Sequence, residues 1–204
     1  MVNEIRLYVE GAGNDIHTKK LLRDGFRIFL NELVLIARMK RIKFQIIACG
    51  RRHQAFSDFS DALQKHPNSF NILLVDSEAP VSKSPWQHLQ KRDGWNAGQI
   101  NDEHCHLMVQ IMESWMVADV SALRQFYGKD FNDNAIPKNP NVEQIDKKIL
   151  LSALKDATRN TSKGEYHKTR HGFKILEQLE TAKIRRAAPH CDRLFKTLNE
   201  KMNA

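Results

Sequence analysis

Three short apolar runs punctuate the first eighty residues, and each stops at a polar or glycine-rich turn. Ile5, Leu7, Tyr8 and Val9 lead into Glu10 and the Gly11-Ala12-Gly13-Asn14-Asp15 cluster, which predicts a strand running into a tight loop. Residues 44–49, closed by Gly50, predict a second strand. Asn71-Ile72-Leu73-Leu74-Val75 predicts a third, which ends abruptly at Asp76-Ser77-Glu78. Between them the apolar period lengthens to three and four. Leu21, Leu22, Phe26, Phe29, Leu30, Leu33 and Val34 mark one helix over 16–39, with Asp15 at its N-cap, and Phe56, Phe59, Ala62 and Leu63 mark another over 51–66. Strands alternating with helices imply a parallel sheet with right-handed crossovers.

After Glu78 the pattern lapses into a polar, tryptophan-containing stretch out to about residue 104, too long for an ordinary connection and read as a functional loop with one short helix near 86–92. Residues 106–112 predict a fourth strand ending in Glu113, followed by a helix over 115–127. The Asn-, Asp- and Pro-rich stretch 128–146 predicts an irregular excursion. Helices are expected over 145–156, 173–179 and 189–202, with a basic linker at 158–172. The expected fold class is α/β, a Rossmann-like parallel sheet of about four strands flanked by helices. Residues 1–127 would form that domain, and 128–204 an irregular excursion and basic helical extension packed on it.

Charge adds a second layer. The formal net charge is +8, and residues 151–204 hold 12 of the 32 basic side chains but only 6 of the 24 acidic ones. Such an excess suits a polyanion, since Lys and Arg displace counterions from phosphates, although a solvated helical face produces the same imbalance. No apolar run approaches a bilayer-spanning length, which points away from a membrane and towards the cytoplasm. Cys49, Cys105 and Cys191 are odd in number and far apart, which disfavours a disulfide framework and fits a reducing compartment.

The chemistry concentrates in carboxylates. Ligand and catalytic groups of parallel sheets collect at the carboxyl ends of the strands, where Glu10, Asp76 and Glu113 are expected, with Glu78 two residues beyond Asp76. Gathered there, they would repel one another unless a cation joined them, and Mg²⁺ (or Mn²⁺) with its preference for hard oxygen ligands is the natural choice. The competing reading is that each acid merely caps a turn.

These residues carry a resemblance. Glu10-Gly11 at the end of a first strand, with Asp76-Ser77-Glu78 at the end of a third, resembles the Toprim domain of topoisomerases, primases and OLD-type nucleases. Over nearly its whole length the chain is similar to a small uncharacterised bacterial Toprim-like family, through Trp86-Gln87-His88-Leu89, Arg92-Asp93-Gly94-Trp95, His106-Leu107-Met108-Val109-Gln110, Glu113-Ser114-Trp115, Ala118-Asp119, Tyr166-His167-Lys168 and His171-Gly172. The resemblance implies Mg²⁺-dependent phosphodiester chemistry on nucleic acid, a nuclease above all, with Glu10 as general acid or base and Asp76 and Glu78 on the metal. It also implies a partner ATPase and a place in anti-phage defence or a mobile element. Toprim sequences commonly carry an Asp four residues after the Glu. Here Asn14 stands at that position and the acid follows at Asp15.

Lys163, His167, Lys168, Arg170 and His171 crowd into the basic linker and could grip phosphate, with Lys168 favoured as catalytic by the resemblance and the others as substrate-binding. They could equally be solvated. Trp86, Trp95 and Trp115 could stack bases or fill the core. His88, His104 and His106 lack zinc-ligand spacing, and no P-loop, GxSxG or HExxH occurs. Two other classes stay open: a non-catalytic nucleic-acid or partner-binding module, and a metal-dependent enzyme on a small nucleotide. Oligomeric state, including a homo-oligomer, is not fixed by the sequence.

Overall fold

A computed structural model describes residues 2–96 and 98–204. Strands β1 (Glu4–Glu10), β2 (Lys43–Gly50), β3 (Phe70–Asp76) and β4 (Cys105–Met108) form one parallel sheet in the order β2-β1-β3-β4. The fold class is the expected α/β one. The helices are α1 (Ile16–Phe29), α2 (Asn31–Met39), α3 (Arg52–Lys65), α4 (Pro85–Asp93), α5 (Glu113–Val117), α6 (Val120–Tyr127), α7 (Lys147–Thr158), α8 (Phe173–Leu176), α9 (Thr181–Ala187) and α10 (Pro189–Asn203).

Both faces of the sheet are covered, as parallel sheets require. Alternate residues of each strand serve opposite cores. Ile5, Leu7, Val9, Ile72 and Leu74 join a large cluster with Phe26, Phe29, Trp115, Leu150 and Phe195. Tyr8, Leu73 and Val75 join a smaller one with Phe59, Trp86 and Trp95 beneath α3 and α4. The large cluster runs without interruption from the strands into Ile136, Val142, Ile184 and Leu198, so residues beyond 128 share the core of the first 127. Helix α10 lies along β4, and Arg193 donates to the carbonyl of Cys105 at 2.8 Å, which occupies an acceptor on the outer edge of that strand. No helix among the described residues is long and apolar enough to cross a membrane.

Four elements depart from the sequence expectation. The helix expected over 16–39 breaks at Leu30, whose backbone caps α1 and opens α2. Buried Leu22, Phe26, Phe29, Leu33 and Ala37 keep helical spacing through the break, so periodicity cannot reveal it. The fourth strand stops at Met108, and residues 109–112, all buried and three of them apolar, form a turn into α5. The helix expected over 115–127 is two pieces, α5 and α6, because the Asp119 side chain accepts from the amide of Ala122 and starts a new helix. The segment expected as one helix over 173–179 ends at Leu176, and α9 follows separately.

Candidate metal centre

The strand order reverses direction between β1 and β3, the switch point at which open α/β sheets form a crevice beyond the strand ends. Glu10 ends β1 and Asp76 ends its neighbour β3. The Asp76 amide donates to Glu10 Oε2 at 3.2 Å, while Asp76 Oδ1 accepts from the amide of Met112 at 2.8 Å. The ladder continues past β3 through Ser77 N–H to Met108 O (2.9 Å) and Glu78 N–H to Gln110 O (2.7 Å). Glu78 takes the left-handed conformation, with φ of 62°, a cost that non-glycine residues bear mainly at functional sites. One carboxylate oxygen from each of Glu10, Asp76 and Glu78 lies within 4.8 Å of the other two.

Three cations press on this triangle from different elements. Arg52, on the first turn of α3, donates through Nη1 to Glu10 Oε2 at 2.9 Å and to the carbonyl of Asp76. The same guanidinium forks onto Asp93 at 3.0 and 2.8 Å and lies 5.0 Å over the Trp95 ring. Lys147, opening α7, pairs with Glu78. Lys168 donates to Asp76 Oδ2 at 3.2 Å and stands 3.6 Å from Glu113 Oε2. Glu113 is not a strand-end residue as expected. It begins α5, buried, with Oε1 accepting from Tyr166 Oη at 2.9 Å, and it stands outside the carboxylate triangle, joined to Asp76 through Lys168.

Each acid of the triangle is matched by one cation, Arg52 on Glu10, Lys168 on Asp76 and Lys147 on Glu78. Burial, then the neighbouring Asp76 charge, push Glu10 up to about 7, against the pull of Arg52 and Lys168. Burial also raises Glu113, with Lys168 opposing and Asp76 adding to the shift. Glu78 goes the other way, because the hydrogen bond and charge of Lys147 outweigh its burial. For Lys168, burial favours the neutral amine, but Asp76 and Glu113 override it and hold the ammonium above its ordinary value. Three hard carboxylate oxygens this close together fit a divalent cation such as Mg²⁺.

Above Asp76, Glu78 and Glu113 opens a cleft of about 620 Å³ whose walls carry Lys147, Lys148, Lys155, His167, Lys168 and Arg170. Lys163 and His171 do not reach it. They line a separate pocket that shares Arg170 with the cleft. Asp15 is committed to α1, accepting from Thr18 N at 2.6 Å and from its hydroxyl. Trp86, Trp95 and Trp115 are buried in the two cores, which removes them as base-stacking platforms. His88, His104 and His106 each direct a ring nitrogen to a backbone carbonyl, of Ser77, Asn71 and Glu103 respectively. A larger cleft of about 710 Å³ elsewhere holds one carboxylate, Asp133, already paired with Arg124.

Arg52, Asp93, Lys147, Lys148 and Lys155 are absent from the sequence-derived site. Arg52 could have been found by the strand-end rule that found Glu10, since it follows Gly50 of β2 by two residues. The lysines of α7 had no such signal.

A family model described as a domain of unknown function (DUF4276) matches residues 9–199. The chain belongs to this family. The DUF4276 match takes in every member of the carboxylate triangle and its cations, so the whole candidate centre lies inside the shared domain. Comparisons with curated proteins and with solved structures found no match.

Proposed function

We propose that this DUF4276 chain is a Mg²⁺-dependent enzyme, with Mn²⁺ able to substitute, that cleaves phosphodiester bonds in nucleic acid. The observation that carries this reading is the Glu10–Asp76–Glu78 triangle at the switch point of the sheet, floored by acids and walled by lysines. Asp76 and Glu78 would hold the cation. The chemistry such an ion supplies when bound is neutralisation of charge on a phosphoryl oxygen.

The chain's own groups divide the remaining work. Glu10, pushed up to about 7 by burial and Asp76, exchanges a proton near neutral pH, as a general acid or base must. Arg52 holds its carboxylate in place. Lys168, fixed between Asp76 and Glu113 with 44% of its side chain exposed to the cleft, meets a phosphate oxygen that enters. Lys147, Lys148 and Lys155 line one wall and attract the polyanion.

The test is incubation of the purified chain with single- and double-stranded DNA and RNA in Mg²⁺ or Mn²⁺. Cleavage is expected to disappear in EDTA and in Asp76→Asn. Activity unchanged in Glu10→Gln and Asp76→Asn would sink the reading. The cleft volume of about 620 Å³ also suits a single nucleotide, being within the range of small-ligand sites. Mononucleotides turned over in place of polymer would favour that substrate.

A further inference from the structure

On the far side of the turn Lys168–Gly172 from the carboxylates lies a second pocket, of about 490 Å³, that the metal chemistry does not use. Its lining includes His17, Phe126, Lys163, Arg170, His171 and Lys174. No carboxylate among the described residues lines it, and its lysines and arginine form no ion pair with one. Lys163 is held 5.4 Å over the Phe126 ring, which fixes a cation without neutralising it.

His171 adds an observation independent of charge. The side chain is only 8% exposed. Its Nδ1 accepts from the backbone N–H of His167 at 3.2 Å and lies 3.0 Å from Tyr127 Oη. A ring nitrogen that accepts from a backbone amide carries no proton, so the hydrogen of the neutral ring sits on Nε2. That Nε2–H has no acceptor among the described residues, although the ring lines the pocket. Burial, with Arg170 and the neighbouring cations, lowers the imidazole below its ordinary value, so the ring lines the pocket as a neutral hydrogen-bond donor among cations. Arg170 lines both this pocket and the carboxylate cleft.

We infer that the His171–Arg170–Lys163–Lys174 pocket is an anion subsite that takes a backbone phosphate of the same nucleic-acid strand whose neighbouring phosphate lies over Asp76 and Glu78. His171 Nε2–H supplies a directed hydrogen bond and Arg170 spans the two phosphates. The subsite would set the polarity and minimum length of the strand, which the carboxylate triangle alone cannot do. The identity of the polymer rests on the nuclease reading, whereas the anion site does not.

The test uses the full chain in EDTA, where no cleavage can intervene. Titration with inorganic phosphate, followed by NMR of the imidazole and guanidinium side chains, is expected to shift His171 and Arg170 saturably in the wild type. Lys163→Glu with Lys174→Glu, both at exposed positions, should abolish the shifts. The same double variant should lower the slope of log affinity against log salt for a single-stranded oligonucleotide by about 1–2. A charge-matched control, Lys138→Glu with Arg186→Glu at the larger cleft, should leave the slope unchanged. A His171 signal that phosphate does not move, or equal slope changes in the two double variants, would overturn the subsite. Phosphate bound at His171 in a chain that cleaves no nucleic acid with Mg²⁺ would leave the anion site standing and remove the nuclease reading.

Discussion

The Lys168 ammonium lies 3.2 Å from Asp76 Oδ2, although the two residues are 92 apart in the chain. The lysine enters from a wide helical turn near the C-terminal quarter and meets the end of the central strand. Among the described residues it is the one cation that pairs with both Asp76 and Glu113, and it also lines the cleft. Lys168→Met keeps the stem and deletes the charge. Cleavage should fall by roughly 10²–10³-fold, the usual loss when one positioned electrostatic group is removed. Because Asp76 and Glu113 are then left as buried carboxylates without their shared cation, stability should fall as well, and less at low pH, where the acids take up protons. Rates measured well below the variant's melting temperature test this, and cleavage by the folded variant at the wild-type rate would remove Lys168 from the chemistry.

Glu10 links the site to pH. Its folded-state pKa, about 7, lies above the ordinary carboxylate value of 4.5. Below about pH 4.5 both folded and unfolded chains hold the proton and Glu10 contributes nothing. Between there and pH 7 the unfolded chain releases the proton that the folded chain keeps, so stability falls as pH rises, on the order of 1–3 kcal/mol. Glu113, also raised by burial, acts in the same direction. Glu10→Gln should flatten this decline in metal-free urea titrations across pH 5–8. Added Mg²⁺ should bind more tightly at pH 8 than at pH 6 and release protons in between. Metal affinity independent of pH over that window would contradict the assigned role.

The sheet and the acidic ends of β1 and β3 were legible because both signals are local. An apolar run of strand length that stops at Glu10 or Asp76 states its own boundary. Glu113 reads as a strand end because Val109, Ile111 and Met112 continue the apolar run of β4, and a buried turn carries the same residues. The cations were mostly hidden, since Arg52 reaches Glu10 across 42 residues and Lys147 reaches Glu78 across 69. His171 illustrates the converse error. It neighbours Lys168 in sequence, yet the helical turn directs the two side chains to different pockets.

Arg52 makes four contacts with one rigid fork, on Glu10, the Asp76 carbonyl and both oxygens of Asp93. A lysine keeps the charge but cannot reproduce the planar, bidentate geometry. Arg52→Lys should therefore destabilise the fold by roughly 1–3 kcal/mol, because the half-buried Glu10 and Asp93 lose their forked partner and only Arg92 remains on Asp93. Chemical denaturation checks the magnitude. Asp93→Asn combined with Arg52→Lys should recover part of the loss, and strict additivity of the two would show that the pair does not couple.

Tyr166 and Glu113 give the last prediction. The Tyr166 hydroxyl donates to Glu113 Oε1 at 2.9 Å in a buried setting, while Glu113 Oε2 has only the 3.6 Å approach of Lys168. Tyr166→Phe preserves the ring packing but leaves Oε1 without a donor, and an unsatisfied buried carboxylate oxygen costs about 1–3 kcal/mol. Relief comes by protonation, so Glu113 should move still higher and the cost should shrink as pH falls. A stability difference between wild type and Tyr166→Phe that is larger at pH 8 than at pH 5 is the expected result. Under the metal reading the same variant should weaken Mg²⁺ binding only modestly, since Glu113 stands outside the triangle of Glu10, Asp76 and Glu78. Loss of metal binding as complete as in Asp76→Asn would instead place Glu113 among the ligands.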